Sequence, residues 1–395
     1  MTVMDHIKKR PHVLAAAAML ASGLMVTAPA KAQSETGVTA TSIKLGMSAG
    51  ITGPIAFASR QFSSYMQKYF DKVNAAGGVN GRKIELTIID DGGKGDVALQ
   101  NAQRLLQQER VFAMTTIGTA TTAGILDYLT RQKVPLLFPG AYNTELVTPT
   151  RANTFALFQP YEGQIAAVTR WVYKTKGAGS AVIVRATPPS FDLAAKSAAA
   201  TVEASGGKTL ATLNTSYNQP EWASIVIRLK ELKPDYIIVM TTASDMGRMW
   251  KEIAQQGAAP GKGIIGISPL ADQAFLDTAG GPVPDNMIYA AVPATVVPTA
   301  KEAEDARNLS PGETMGLFGL EGAASAAVIV EALRRLGPDV TRAKLTALLH
   351  DKFEPFKVPF TDTVKSSPDH LMIQSVGVAT VKNGSFVAAT GEFVK

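Results

Sequence analysis

From Thr41 onward, short runs rich in β-branched residues alternate with longer stretches whose apolar positions recur at helical spacing. That alternation is the mark of βαβ units built around a mainly parallel sheet. Ser42 to Ser48 and Ile84 to Ile89 read as strands, and between them Phe62, Met66, Tyr69, Phe70 and Val73 fall on one helical face that Asn74 to Gly78 terminates. The pattern continues with helices over Asp96–Glu109 and Thr122–Gln132 and strands over Phe112–Thr116 and Pro135–Phe138. A second series predicts strands near Ala181–Val184, Thr209–Leu213, Tyr236–Met240 and Gly263–Ile267. Its helices fall near Phe191–Ala204, Trp222–Leu232 and Ser244–Gln256. A late apolar helix at about Gly316–Leu336 and a closing hairpin strand over Leu371–Val381 complete the set. Two similar βα series in one chain predict an α/β protein with two Rossmann-like lobes. A length of 395 residues agrees, because it exceeds what one hydrophobic core usually supports.

The first 32 residues interrupt this picture. Lys8, Lys9 and Arg10 precede an almost unbroken apolar run from Val13 to Val26, and Ala28-Pro29-Ala30 and Ala30-Lys31-Ala32 offer small-x-small cleavage patterns. The run is shorter than the roughly 20 residues that span a bilayer, so the segment reads as a secretory signal cleaved after Ala32. Removing it takes away four basic residues against Asp5 and lowers the formal charge from +6 to +3. No cluster of Lys and Arg remains to mark a nucleic-acid surface. The chain has no cysteine, so it carries neither a lipid-anchoring thiol nor a disulfide. The expectation is a soluble exported protein stabilised by its core.

Catalytic constellations are missing. Of four histidines, His6 and His12 leave with the signal, and His350 and His370 show no metal-ligand spacing and read as solvated surface residues. There is no G-x-S-x-G elbow. Gly261-Lys262-Gly263-Ile264-Ile265-Gly266 matches G-x-G-x-x-G in letters, but its second half is itself a strand, so it reads as a turn entering that strand. Asp90-Asp91, at a strand end before Gly92-Gly93, reads as a turn-shaping pair. These absences argue against an enzyme and predict no cofactor or metal.

The segment with chemical content is Thr115 to Gly124. It follows an apolar strand and opens a helix, so hydroxyls and free backbone N–H groups converge where the helix dipole is positive. Such a site holds a carboxylate or another polar acceptor. Without a ligand, the same residues serve as a Thr-rich N-cap. Pro139-Gly140-Ala141-Tyr142-Asn143 follows the next strand, at the sheet edge where open α/β folds bind ligands.

Taken together these segments resemble the periplasmic leucine/isoleucine/valine-binding protein family, the type I solute-binding fold of ATP-driven (ABC) importers. The resemblance rests on Ile43-Lys44-Leu45-Gly46 with Thr52-Gly53-Pro54, and on Asn74 through Leu86 running on to Asp90-Asp91. The Gly118–Thr122 loop, Val134-Pro135 and Phe138-Pro139-Gly140-Ala141 add to it. It implies two lobes joined by three crossovers: residues 40–158 and 293–361 in one, 159–292 and 362–395 in the other. It further implies a small-molecule ligand between closing lobes, a permease partner in the inner membrane, a monomer, and a periplasmic location.

Carried over by position, the resemblance places Thr119, Ala120 and Thr121 at the ligand carboxylate and Ala141 and Tyr142 on the next loop. Ala58 falls where an aromatic is common, and Phe318 supplies an apolar surface. In the second lobe the family's pattern is broken: Ser190-Phe191-Asp192 replaces an aromatic-glycine pair, the tyrosine expected near Thr242 is absent, and Ser268 stands where a carboxylate often meets the ligand ammonium. Asp192, Asp245 and Asp272 are the available substitutes. Two ligand classes therefore remain open, an α-amino acid or a solute without an ammonium group, such as an aromatic or aliphatic carboxylate or an amide. A sensory subunit handing its closed form to a membrane receptor shares the same sequence features.

Overall fold

The computed structural model describes residues 35–187, 190–293, 315–358 and 361–395, with 304, 308 and 309 between. The segment read as a signal lies outside the described residues. The first sheet has the order β2-β1-β3-β4-β5, all parallel, from β1 (Ser42–Ala49), β2 (Lys83–Asp90), β3 (Ala113–Ile117), β4 (Leu136–Leu137) and β5 (Thr154–Phe155). The second runs β12-β11-β10-β9-β8-β6-β7, from β6 (Ser180–Ala186), β7 (Lys208–Thr215), β8 (Tyr236–Met240), β9 (Gly263–Gly266), β10 (Ile288–Val292), β11 (Gly377–Lys382) and β12 (Ser385–Ala388). Its core strands are parallel and its last two form an antiparallel hairpin. The central strands β1, β3, β6 and β8 are buried along nearly their whole length, as expected of parallel strands covered on both faces.

Helices α1 (Ala56–Ala75), α2 (Gly95–Gln107) and α3 (Thr119–Gln132) accompany the first sheet. The second is accompanied by α4 (Tyr161–Lys176), α5 (Ser190–Ala204), α6 (Ala223–Leu232), α7 (Ala243–Gln256) and the short α8 (Gln273–Thr278). The late apolar helix, α9 (Leu317–Leu336), comes after β10 of the second sheet yet packs along α1 of the first, and α10 (Arg342–Ala347) follows it. The chain then returns to β11. It thus passes between the two sheets three times, after β5, before α9 and before β11, and the fold is two Rossmann-like α/β layers joined by three crossovers.

Several sequence expectations are revised in detail. The strands β5, β10 and β12, the short helices α8 and α10 and the helix α4 lie outside the elements that periodicity singles out; β5 is only two residues long, α8 and α10 six each, and α4 is buried too broadly to show a clean stripe. The closing strand begins at Gly377 and not at Leu371. Residues 371–373 instead bond to Ala156 and Leu157 in the crossover: Met372 N donates to the Ala156 carbonyl at 2.9 Å and Ile373 N to that of Leu157 at 3.2 Å. The same contact draws His370 under β5, which corrects its reading as a solvated residue. It is 1% exposed, stacks on Phe155 at 4.5 Å, and its Nδ1 donates to the Thr154 carbonyl at 3.0 Å. Nδ1 therefore carries the proton, leaving Nε2 to accept from His350 Nδ1 at 2.6 Å. Burial holds the His370 imidazole below its usual range.

Close approach of α1 and α9 positions one side of the molecule's cleft. It depends on Gly322, where an added Cβ would lie 2.1 Å from the Phe62 carbonyl oxygen. A backbone oxygen cannot swing away, so the helices must part. Gly322→Ala is expected to destabilise the protein by about 1–3 kcal/mol in chemical denaturation. Gly281→Ala, on open surface with nothing within 4 Å, is expected to stay within about 0.5 kcal/mol of the parent; equal effects at the two sites would contradict this packing.

Candidate ligand-binding site

The loops that follow the parallel strands of both sheets converge at their carboxyl ends, the edge where open α/β sheets bind ligands. Between them lies a cavity of about 420 Å³. One side comes from Pro54, Ile55, Phe57 and Ala58 after β1, Ile117 to Thr119 after β3, Gly140 and Tyr142 after β4, and Phe318 on α9. Facing residues are Tyr161 at the start of α4, Tyr217 and Asn218 after β7, Thr241 to Ser244 after β8, and Pro269 and Asp272 after β9. Ala274, Asp277 and Thr278 of α8 complete that side.

Local chemistry fixes these loops. Gly118 turns β3 into α3 with φ +104, and a Cβ there would lie 2.6 Å from Ile55 Cδ1, so glycine alone brings the helix start this close to the α1 loop. Gly118 is the N-cap and has no side chain to offer, so the first turn of α3 has no side-chain cap where Gly118 and Thr119 line the cavity. The loop is held from behind by Asp91, whose carboxylate accepts from Ser48 Oγ at 2.7 Å, Gly93 N at 2.7 Å and Thr121 Oγ1 at 3.1 Å. Asp90 similarly accepts from Thr52 and Gly92. Both acidic groups are thus spent on turn geometry.

Of the ten residues expected at the site, Ala58, Thr119, Tyr142, Thr242 and Phe318 come together on the cavity wall. The other five do not line it. Ala120 is exposed on the outer side of α3, Thr121 is committed to Asp91, and Ala141 points into the first-sheet core. Phe191 is buried behind the wall, packing on Tyr161 at 5.3 Å and Tyr217 at 6.2 Å. Ser268 is fully buried, its N–H donating to Gln164 Oε1 at 3.1 Å. On α3 the helix period turns Ala120 and Thr121 away from the edge that Thr119 faces.

The three aspartates offered as substitutes for Ser268 separate clearly. Asp192 is half exposed and pairs with Arg185 at 2.5 Å. Asp245 is fully buried and saturated: it pairs with Arg248, accepts from Thr242 Oγ1 at 2.9 Å, and accepts from Asn218 N at 2.9 Å. Asp272 caps α8 through Oδ1, which accepts from Ala274 N at 2.9 Å, while its buried Oδ2 has no partner. Burial pushes Asp272 up to about 6, and the nearby Asp277 adds to the rise. It is the one of the three that lies in the cavity wall.

Sequence reasoning missed Tyr161, Tyr217 and Glu321. The tyrosines sit in loops and helix starts with no periodic signal. Glu321 had one: it is a lone acid in the otherwise uncharged run Leu317–Val330. It is fully buried on α9 and accepts a short hydrogen bond from the Tyr142 hydroxyl, while its Oε1 has no partner. Burial pushes Glu321 up to about 8 against the lowering effect of Tyr142, with the charge of Asp272 adding to the rise. Tyr142 stacks obliquely on Tyr161 at 4.8 Å, so an aromatic row of Tyr142, Tyr161, Phe191 and Tyr217 runs across the base of the site. Among the described residues no lysine, arginine or histidine lines the cavity.

Among the described residues no group of three or more His, Cys, Asp or Glu is placed to hold a metal, and no helix is long and apolar enough to cross a membrane. Removing the Tyr142 hydroxyl leaves both Glu321 oxygens buried without a donor. Tyr142→Phe is expected to lower stability by about 1–3 kcal/mol in denaturant titration, and an unchanged midpoint would mean that this hydrogen bond contributes nothing.

Residues 42–385 match the profile of the family described as periplasmic binding protein. A Leu/Ile/Val-binding protein of Rhizobium johnstonii is 24% identical over 358 residues, covering 88% of this chain and 94% of that protein. Among solved structures, a fatty acid ABC transporter substrate-binding protein from Thermomonospora curvata superposes with a TM-score of 0.79 at 18% identity, covering 92% of this chain and 95% of its own. A branched-chain amino acid transporter substrate binding protein from Streptococcus pneumoniae, in complex with isoleucine, gives 0.75 at 20% identity, covering 90% and 100%. Likeness at these identities establishes the fold and leaves the ligand to the chemistry of the cavity.

Proposed function

The chain belongs to the periplasmic binding protein family, and we propose that it captures a zwitterionic amino acid between two closing lobes and delivers it to an ABC permease. In this reading the protein is exported, works in the periplasm, and performs no chemistry on its ligand. The lobes are residues 40–158 with 293–361 and residues 159–292 with 362–395, and the bound ligand favours closure because only then do both sides touch it.

The observation that carries the amino-acid reading is Asp272, a buried carboxyl in the cavity wall with an unpartnered oxygen and, among the described residues, no cation lining the site. A buried anion demands a partner, and a ligand ammonium supplies one. The opposite end offers Thr119 and the first-turn N–H groups of α3 to the ligand carboxylate. A simple carboxylate would bring a second negative charge beside Asp272 and Asp277. Phe57, Tyr142, Tyr161, Tyr217 and Phe318 favour a ligand with a sizeable apolar side chain.

A second reading, an aromatic or aliphatic carboxylate lacking an amine, is favoured by that same aromatic wall and by the altered second-lobe positions. In it Asp272 stays protonated and donates. Calorimetric titration with matched pairs, each L-amino acid against its desamino analogue, tests the two. Binding confined to the amines supports the first reading, and binding confined to amine-free acids overturns it.

Two substitutions sharpen the test. Asp272→Asn is expected to weaken an amino-acid ligand by at least about tenfold, since the charge partner is lost. Thr119→Ala is expected to weaken it by about 1–3 kcal/mol while leaving the unfolding midpoint unchanged. An unaltered affinity in either variant would remove that residue from the site.

A further inference from the structure

Asp272 and Glu321 approach the cleft from different sheets' elements, the turn after β9 and helix α9, and each is almost completely removed from solvent. Each has one oxygen engaged and one buried without a partner. Tyr142, whose hydroxyl holds Glu321, lines the same cavity as Asp272, so the two carboxyls flank one site, and the negative charge of Asp272 raises Glu321 further. Among the described residues the groups facing them are the hydroxyls of Tyr142 and Tyr161, the Ser268 hydroxyl beside Tyr142, and Asp277 on α8. None of these is cationic. Two buried carboxylates with neither a cation nor a full set of donors resist ionising together near neutral pH, and a proton is the one counter-charge always available.

We propose that Asp272 and Glu321 hold one proton between them before a ligand arrives and release it to solvent when a ligand ammonium docks against Asp272. Capture is then an exchange at the acid pair: the pair loses H⁺ to solvent, the ammonium supplies the positive charge in its place, and the ligand carboxylate, which arrives with it, is met at the start of α3. This rests on the amine-bearing ligand proposed above. It gives the site a property beyond recognition, because uptake becomes tuned to the acidity of the surrounding medium. Tyr142 has a defined part as a positioning residue, since its hydroxyl keeps the Glu321 carboxyl in place whichever partner holds the proton.

The sign follows from mass action. Binding that releases a proton tightens as pH rises, by up to about tenfold per pH unit while the pair still holds its proton. With Asp272 near 6 and Glu321 near 8, affinity should climb between those values and level off above them. A ligand that left the protonation of the pair unchanged would bind with a flat profile over the same range.

The test has two parts on the full protein. Infrared spectra of ligand-free protein at neutral pH should show the C=O stretch of a protonated buried carboxyl. It should be absent from Glu321→Gln and lost from the parent as pH is raised past about 8. No such band overturns the shared proton and leaves the amine reading untouched. The proteinogenic L-amino acids are then titrated calorimetrically in phosphate and in Tris, whose ionisation heats differ. The expected result is a difference between buffers equal to one proton released per ligand, together with loss of the infrared band. An amino acid that binds with the same heat in both buffers and an intact band overturns the exchange alone. If none of these amino acids binds, the amine reading falls and the exchange with it.

Discussion

A carboxyl group buried without a cation is costly, and Glu321 is held at the base of the cleft by a single hydrogen bond from Tyr142. That bond fastens the loop after β4 to helix α9, two segments almost 180 residues apart in sequence. Helix α9 is in turn pressed against α1 through Gly322, so the tyrosine that faces the cavity, the helix that backs it and the first turn of α1, which carries Ala58, share one packing arrangement. Without that arrangement the first-sheet wall would have no fixed position. The polar contact is therefore structural and chemical at once, because it seats the aromatic floor and keeps an acid with one unpartnered oxygen behind Tyr142 of the cavity wall.

The opposing wall is built by saturating one acid and leaving another free. Asp245 is consumed by Arg248, Thr242 and the Asn218 N–H, which locks the loops after β7 and β8. Asp272 spends one oxygen on capping α8 and keeps the other unpaired. Both residues are buried acids at helix starts in the same sheet, and what separates their roles is the presence of an arginine beside one of them. The first-sheet end of the cavity has the reverse polarity without any charged side chain, through the α3 N-terminus that Gly118 exposes. A zwitterion matches that polarity end to end, and the tyrosine row between supplies apolar surface.

Much of this was legible in the sequence. The runs that became β1, β3, β6, β8 and β9 were readable because strands buried on both faces are rich in apolar residues, and the edge strand β2 by its alternation of apolar and polar residues; their C-terminal loops marked the cleft edge. The G-x-G-x-x-G letters were legible as a turn entering β9, and Asp90-Asp91 as a turn pair, since each context was local. What escaped was non-local. The meeting of His350 and His370 depends on a crossover that pairs residues 371–373 with 156–157. Which of Asp192, Asp245 and Asp272 lacks a partner depends on arginines and backbone groups that no spacing reveals. Residues two apart such as Thr119 and Thr121 share a motif but face different ways, one on the cavity and one toward Asp91, so the motif located the loop and could not choose its ligand-facing member.

The central claim is that ligand charge completes the cleft, with an ammonium at Asp272 and a carboxylate at the start of α3. The most direct measurement is a crystal structure of the protein with its tightest-binding solute. The account predicts an amine nitrogen within about 3 Å of Asp272 Oδ2 and a carboxylate within about 3 Å of the Thr119 hydroxyl and the first N–H groups of α3. A bound solute with no cationic group, or one seated with its carboxylate against Asp272, would contradict it.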